Sequence, residues 1–120
     1  MKKILVIDDD QMMLNALTTL LEEENQSIIT ATDGHKGIEL YRTQKPQLVL
    51  LDLKLPSITG IDVLKEIRKI NREAKVIIIT GYPTPEAAEE SMSNGAFAFY
   101  DKSRDIGELS GAVRKALETK

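Results

Sequence analysis

The chain has 120 residues, of which 42% are hydrophobic, so it is long enough for one domain with a single core. Its 16 basic and 19 acidic residues give a formal net charge of -3, which argues against direct nucleic-acid binding because that binding depends on a basic excess. The lack of cysteine excludes disulfides and thiolate metal sites, and no apolar run could cross a bilayer. We therefore expect a soluble cytoplasmic protein with one domain over residues 1–120 and no membrane partner.

Continuous apolar runs alternate with helical patterns along the chain. The runs are rich in β-branched residues and predict strands, most of them buried on both faces. They cover residues 3–8, 27–31, 47–52, 75–80 and 97–100. Apolar residues spaced three or four apart predict helices between the strands. In chain order these helices are marked by Leu14, Leu17, Leu20 and Leu21; by Ile38, Leu40 and Tyr41; by Ile61, Leu64, Ile67 and Ile70; by Ala87, Ala88 and Met92; and by Ile106, Leu109, Val113, Ala116 and Leu117.

Strand–helix units with short connections predict an α/β fold. We expect a five-stranded parallel sheet, doubly wound, with five helices covering both faces. A domain of this size and kind commonly has the flavodoxin-like strand order 2-1-3-4-5. In that order the chain reverses direction between the first and third strands, and ligands bind above the carboxyl ends of those strands.

Polar side chains follow four of the predicted strands. Asp8 and Asp9 follow the first strand, Asp52 ends the third, Thr80 ends the fourth, and Lys102 comes shortly after the fifth. Parallel strands place their carboxyl ends on one edge of the sheet. The sequence therefore predicts that these residues meet in one crevice, which a set of unrelated caps or turn residues would not do.

The carboxylates at this edge predict a metal site. Crowded carboxylates repel one another unless a cation lies between them. Mg²⁺ suits the site because it binds carboxylates, water and phosphate oxygens, and no thiolate or strand-end histidine is present to favour zinc. We expect Asp9 to hold the ion and Asp8 to hold it directly or through water. Asp10 is expected to cap the first helix instead.

The remaining carboxylate, Asp52, is a candidate nucleophile. It could attack a phosphoryl group and form an acyl phosphate. Phosphoryl transfer spreads charge over the equatorial oxygens, so cations and hydrogen-bond donors provide most of the catalysis. Mg²⁺, the Lys102 ammonium, the Thr80 hydroxyl and the Lys54 backbone N–H are the candidate contacts.

The chain resembles the receiver domain of two-component response regulators over nearly its whole length. The likeness is carried by ILVIDDD at 4–10, LVLLDLKLPSITGIDVL at 48–64, VIIITGY at 76–82 and GAFAFYDKS at 95–103. It implies that Asp52 accepts the phosphoryl group with help from Thr80 and Lys102. It also implies that the ligands of Mg²⁺ are Asp8, Asp9, Asp52 and the Lys54 backbone carbonyl.

The resemblance further implies a partner and a switch. A sensor histidine kinase or histidine phosphotransfer protein would donate the phosphoryl group from its own histidine. Phe99 stands at the place of the switch aromatic, and its ring would turn inward as Thr80 moves toward the phosphate, altering the surface of the fourth helix, fifth strand and fifth helix. No turnover of an external substrate is implied. We expect a monomer or a phosphorylation-dependent dimer.

Three positions carry further expectations. The family usually has a cis proline after the lysine, where this chain has Ser103; we expect a trans bond, because a cis bond without proline costs about 2.5 to 4 kcal/mol. The resemblance also implies that Lys54 and Tyr82, each two residues past a site residue, flank the path of hydrolytic water, and neither side chain is suited to orienting that water. They predict slow self-dephosphorylation and a relay that passes the phosphate onward.

The first helix has a wider apolar face than its leucine stripe needs. Met12, Met13 and Ala16 widen it. Methionines suit an adaptable surface on which a kinase or phosphotransfer helix could dock, and ordinary core packing is the alternative.

Two other functions are left open. A phosphorylation-independent interaction module would have the same fold, and Ser103 in place of proline leaves room for it. A haloacid dehalogenase-like phosphatase also uses Asp, Thr, Lys and Mg²⁺. Its motif DxDx[TV] would begin at Asp8, but Met12 stands where the motif has threonine or valine. Turnover of a phosphate ester would distinguish the phosphatase.

Overall fold

The structure is a computed structural model that describes residues 2–22, 26–104 and 106–119, and in these segments strands and helices alternate. The strands are β1 Lys3–Ile7, β2 Ser27–Ala31, β3 Leu48–Asp52, β4 Val76–Thr80 and β5 Ala98–Asp101. The helices are α1 Gln11–Glu22, α2 Gly34–Gln44, α3 Gly60–Ile70, α4 Pro85–Ser93 and α5 Ile106–Glu118. Every predicted strand is present, with ends that differ by no more than one residue.

The strands form one parallel sheet in the order β2-β1-β3-β4-β5. The predicted α/β fold, strand order and five helices are therefore confirmed. The chain reverses direction between β1 and β3, so their carboxyl ends flank the crevice at which such folds bind ligands.

Two apolar clusters cover the two faces of the sheet. One joins α2 and α3 to alternate strand residues such as Leu5 and Val49, and the other joins α1 and α5 to the residues between them, such as Ile4 and Leu50. Because successive strand residues point to opposite faces, β1, β3 and β4 are apolar at every position except Lys3, Asp52 and Thr80 at their ends. The edge strands β2 and β5 are only half-buried. This agrees with the prediction that most strands, but not all, are buried on both faces.

Two predicted helix faces are wrong in part. In α3 the buried residues include Val63, whereas Ile70 is 38% exposed. In an α-helix, residues three apart differ by about 60° in angular position. Residues at a strict spacing of three therefore turn progressively away from the buried face. In α4, Met92 is 49% exposed and Ser91 is buried instead. The Ser91 hydroxyl donates to the Ala87 carbonyl at 2.8 Å, so its burial leaves no unpaired donor.

Among the described helices, none has both the length and the apolar character that a bilayer crossing requires.

Candidate acidic site at the carboxyl edge of the sheet

The sheet register brings the predicted site residues to one level. β1 and β3 are aligned so that Asp8 directly follows the residue paired with Leu51, the neighbour of Asp52. Thr80 lies one residue past the β4 partner of Asp52. The backbone N–H of Lys102 donates to the Thr80 carbonyl at 2.8 Å, which ties the end of β5 to the end of β4.

Three carboxylates cluster at this edge. Asp8, Asp9 and Asp52 each offer one oxygen, and these oxygens all lie within 4.8 Å of one another. Asp8 is fully buried and Asp52 is 5% exposed, whereas Asp9 is open to solvent. The three side chains predicted to hold a metal therefore do meet.

The Lys102 ammonium lies inside this cluster. Its Nζ is 2.6 Å from Asp8 Oδ2 and 3.2 Å from Asp52 Oδ2, and the side chain is only 14% exposed. A small cavity of about 30 Å³ next to it is lined mainly by apolar side chains, including Ile79 and Leu109. One ammonium against three carboxylates leaves two negative charges to balance, which a divalent cation would do.

Burial and charge shift the pKa values of two groups here. Burial, and next the Asp8 carboxylate, raise the pKa of Asp52, although Lys102 and the Lys54 backbone N–H partly oppose the shift. Burial alone would lower the pKa of Lys102, but its contacts with Asp8 and Asp52 outweigh it and raise that pKa. Lys102 is therefore a permanent cation at physiological pH, whereas the charge on Asp52 is disfavoured by its surroundings.

The donor set fits Mg²⁺. Asp8 Oδ1 accepts the Asp10 backbone N–H at 2.9 Å, and the buried Asp8 Oδ2 has the Lys102 ammonium at 2.6 Å as its charged neighbour, so a lone pair of Oδ2 remains for a metal cation. All three side chains offer oxygen, the ligand that Mg²⁺ prefers. Asp10 caps α1 as predicted, since its carboxylate accepts the Met12 backbone N–H at 3.0 Å. The Lys54 backbone carbonyl stays a predicted ligand.

Thr80 is oriented by a turn that the sequence analysis missed. The residue is 1% exposed, and its Oγ1 accepts the Tyr82 backbone N–H at 3.1 Å. Since the hydroxyl oxygen accepts this bond, its proton is left to donate to another acceptor. The arrangement suits a hydroxyl that contacts an anion at the end of the sheet.

A second missed turn holds Lys102 in place. The peptide bond between Lys102 and Ser103 is trans, as predicted. Asp101 Oδ1 accepts both the Ser103 backbone N–H at 2.8 Å and the Ser103 hydroxyl at 2.7 Å. Both hydrogen bonds lower the pKa of Asp101, and the bond from the Ser103 hydroxyl has the larger effect. The Asp-x-Ser pattern at 101–103, typical of side-chain-capped turns, was the available signal.

Lys54 and Tyr82 meet at the mouth of the site. The Lys54 ammonium lies 4.0 Å from the centre of the Tyr82 ring, in a cation–π contact that was not predicted. Tyr82 is 69% exposed, and the Lys54 backbone N–H donates to Asp52 Oδ1 at 3.3 Å. The two large side chains are therefore joined next to the Asp52 carboxylate.

Gly60 is a positioning residue that sequence reasoning missed. Its backbone N–H donates to the Leu53 carbonyl at 2.9 Å. A Cβ built there would overlap the Asp52 carbonyl oxygen and lie 2.6 Å from Leu53 Cα. The start of α3 thus packs directly against the backbone that carries Asp52, and only glycine allows that approach.

The other predicted residues lie around the site rather than in it. Phe99 is half-buried and packs against the cluster on the α3 face, so its role as a switch stays a prediction. Met13 is half-buried and packs with the α1 and α5 cluster, which favours the core interpretation of that residue. Met12 is 81% exposed and Ala16 is also exposed, and docking of a partner helix on this part of α1 stays a prediction.

The sequence matches the family model described as "Response regulator receiver domain" over residues 4–114. The chain belongs to the response regulator receiver family. This confirms the resemblance drawn from the sequence motifs. The assignment of the whole of residues 1–120 to this domain stays a prediction.

Curated relatives agree with the family assignment. Sporulation initiation phosphotransferase F of Bacillus subtilis (strain 168) is 34% identical over 119 residues, which cover 99% of this chain and 96% of that protein. Regulatory protein AtoC of Escherichia coli (strain K12) is 31% identical over 118 residues, covering 98% of this chain but 26% of that protein. The receiver chain therefore spans nearly all of one relative and about a quarter of the other.

Solved receiver structures share the fold. A CheY-like receiver domain protein from Methanospirillum hungatei JF-1 is 29% identical, with a TM-score of 0.94 and coverage of 98% of this chain and 94% of that one. Response regulator protein TrrA from Thermotoga maritima, in complex with Mg²⁺ and BeF, is 35% identical, with a TM-score of 0.89 and coverage of 98% and 100%. The chain has the receiver fold and is a signalling module of the two-component type.

Proposed function

We propose that Asp52 is the phosphoacceptor of this receiver and that the carboxylate cluster around it holds Mg²⁺. The observation that carries the proposal is the Lys102 ammonium, which contacts both Asp8 and Asp52 at the edge where the carboxyl ends of the five described strands meet. Together with a bound divalent cation, this ammonium would balance the three carboxylates and let the site accept a phosphoryl group. The TrrA complex with Mg²⁺ and BeF supports the same chemistry in a relative.

The reaction is a displacement at phosphorus. An Asp52 carboxylate oxygen donates an electron pair to the phosphorus atom, and the bond from phosphorus to the leaving group breaks. With a phosphohistidine donor the imidazole nitrogen keeps that electron pair; with acetyl phosphate the acetate oxygen keeps it. The product is an aspartyl phosphate, and charge on its oxygens is stabilised by positioned groups rather than by proton transfer.

Each site residue has a part in stabilising that charge. Asp8, Asp9, Asp52 and the Lys54 backbone carbonyl would hold Mg²⁺, which supplies charge neutralisation when bound. Lys102 pairs with a phosphate oxygen, and the free proton of the Thr80 hydroxyl is donated to another. Movement of Thr80 toward the phosphate would open room into which Phe99 turns, changing the surface of α4, β5 and α5.

The partner that fits this chemistry is a protein carrying phosphohistidine. We propose a sensor histidine kinase or a histidine phosphotransfer protein, with the chain monomeric until phosphorylation and dimeric afterwards if the α4, β5 and α5 surface pairs with itself. We expect no direct nucleic-acid contact, a cytoplasmic location and no turnover of an external substrate.

Incubation with acetyl phosphate tests the proposal. The intact chain with Mg²⁺ should gain the mass of one phosphoryl group, and peptide mapping should place it on Asp52. Asp52→Asn should stay unmodified, and a chelator should suppress the reaction. Asp62→Asn, the same change at an exposed residue of α3, is the matched control and should be modified normally. An unmodified wild-type chain would refute the proposal and favour a phosphorylation-independent interaction module.

We further propose that the phosphoryl group is long-lived and is passed onward in a relay. The support is the contact between Lys54 and Tyr82, two large side chains beside Asp52 that are unsuited to orienting a hydrolytic water. Tyr82→Ala should shorten the lifetime about fivefold, because loss of a contact worth roughly 1 kcal/mol lowers the barrier to water entry by a similar amount.

Release of phosphate from the phosphorylated chain measures that lifetime. Tyr82→Phe keeps the ring and is the matched control, so its lifetime should stay close to that of the wild type. A wild-type half-life of seconds, or equal lifetimes for Tyr82→Ala and Tyr82→Phe, would contradict the relay proposal while leaving Asp52 as the acceptor.

A further inference from the structure

A basic groove lies at the amino edge of the sheet, at the opposite end from the acidic site. Its volume is about 600 Å³. The basic residues that line it are Lys65, Arg68 and Lys69 of α3 and Arg72 of the following turn, and residues 93–95 at the end of α4 form the other wall. Since α3 and α4 both end just before a parallel strand begins, the groove is separated from Asp52 by the length of a strand, roughly 16 Å.

Arg68 is built into the groove rather than extended into solvent. The side chain is half-buried, and its Nη1 donates to the Ala74 carbonyl at 3.0 Å. Across the groove Gly95 has a φ of 93°, and a Cβ there would lie 2.7 Å from Arg68 Nε and 2.9 Å from Cζ. The guanidinium therefore rests against the Gly95 backbone, and the lack of a side chain at Gly95 is what makes its place.

The charge of the groove is poorly neutralised. Within the described segments, neither Lys65, Arg68 nor Arg72 has a carboxylate at ion-pair distance. Lys69 lies 3.7 Å from Glu66, but these side chains are 75% and 48% exposed, so water screens the pair. The helix dipole favours Arg68 and Lys69 in the last turn of α3 but does not explain Lys65 or the fixed guanidinium.

We propose that this groove binds an acidic peptide segment of a partner protein. A fixed guanidinium presents two N–H groups in a plane, which match the two oxygens of a carboxylate. The neighbouring cations add electrostatic attraction but no geometric specificity. A long polyanion such as nucleic acid fits less well, because the basic area consists of only four side chains and is too small to follow an extended phosphate backbone. The groove lies away from the acidic edge, so the peptide would bind whether or not Asp52 is phosphorylated.

Binding of a labelled peptide tests this proposal. A fluorescein-labelled Glu/Ser peptide is titrated with the full chain by fluorescence anisotropy, and amide NMR shifts locate the contact. We expect binding that weakens with salt and shifts confined to α3 and residues 93–96. The Gln/Ser counterpart should not bind, and an oligonucleotide of similar length should bind more weakly. Stronger binding of the oligonucleotide, or shifts elsewhere on the chain, would overturn the proposal.

Variants distinguish a specific site at Arg68 from non-specific attraction by surface charge. Arg68→Gln should weaken peptide binding about tenfold, because it removes the charge-assisted hydrogen bonds between the Arg68 guanidinium and a peptide carboxylate. Arg68→Lys keeps the charge but lacks the fork and should also bind more weakly. Lys36→Gln, which removes an exposed charge from α2, is the matched control and should bind like the wild type. Lys65→Gln alters only an exposed side chain, so it should weaken peptide binding without affecting the fold. Equal peptide binding by Arg68→Gln and Lys36→Gln would refute the proposed site.

Discussion

At the residue scale, Asp52 carries a charge that the folded chain disfavours. Burial and the Asp8 carboxylate raise its pKa, and Lys102 offsets only part of that effect. A carboxyl group whose pKa is higher in the folded than in the unfolded state destabilises the fold wherever it is ionised. The penalty is therefore present at neutral pH and is removed as the pH falls through the folded-state pKa.

Asp52→Asn should therefore stabilise the chain. We expect the free energy of unfolding at neutral pH to rise by about 1 kcal/mol, a common gain when a functional site is relieved of strain or charge repulsion. The gain should shrink as the pH is lowered, because Asp52 of the wild type then becomes protonated. Urea unfolding at several pH values measures it, with Asp62→Asn as the control. A loss of stability at neutral pH would mean that the ion pair with Lys102 outweighs burial.

At the element scale, the connection from β3 to α3 sets the place of Asp52, the proposed phosphoacceptor. Gly60 begins α3 against the Asp52 carbonyl, so the helix and the site share one tight contact. Gly60→Ala should lower the free energy of unfolding by about 1 to 3 kcal/mol, the usual cost of overpacking, and should slow phosphorylation by acetyl phosphate because the backbone of Asp52 must shift.

The same change elsewhere provides the control. Gly111 lies within α5, and a Cβ at this position would have no neighbour within 4 Å. Gly111→Ala should therefore raise the free energy of unfolding by about 0.5 to 1 kcal/mol through helix propensity alone, with no effect on phosphorylation. Thermal and urea unfolding give both values. Equal effects of the two substitutions would show that the approach of Gly60 to Asp52 is not tight.

At the scale of the whole molecule, an acidic edge and a basic edge lie at opposite ends of one sheet. A ligand that binds only the folded acidic edge stabilises the entire domain, because the unfolded chain does not hold the three carboxylates together. Mg²⁺ should therefore raise the thermal unfolding midpoint, with a stabilisation of about 2.7 kcal/mol at a hundred times the dissociation constant.

Calorimetry over a range of Mg²⁺ concentrations, at constant ionic strength, checks this linkage. Asp9→Asn removes the exposed ligand and should shift the response to higher Mg²⁺ without unfolding the chain. Asp33→Asn, at the cap of α2, is unsuitable as a control because its carboxylate accepts two backbone N–H groups; Asp62→Asn serves instead. A midpoint that does not move with Mg²⁺ would contradict the metal site.

Much of this protein could be predicted from its sequence. The central strands are continuous apolar runs because helices cover both of their faces, so their bounds were predicted to within one residue. The parallel topology follows from alternating strands and helices, and it brings the polar residues at the carboxyl ends of β1, β3 and β4 to one edge. Burial within helices was predicted less well, as Ile70 and Met92 show, because approximate spacing does not define the angular limits of a face.

The amino-acid sequence by itself determined the fold class, the strand order expected for it and the residues that gather at the acidic edge, since these depend on hydrophobic periodicity and chain direction. Only the tertiary structure decided which of those residues touch. Lys102 contacts Asp8 more closely than Asp52, Lys54 lies over Tyr82, and Arg68 lies against Gly95. Such contacts join residues far apart in the chain through side-chain conformations, and local sequence patterns carry no information about those distances.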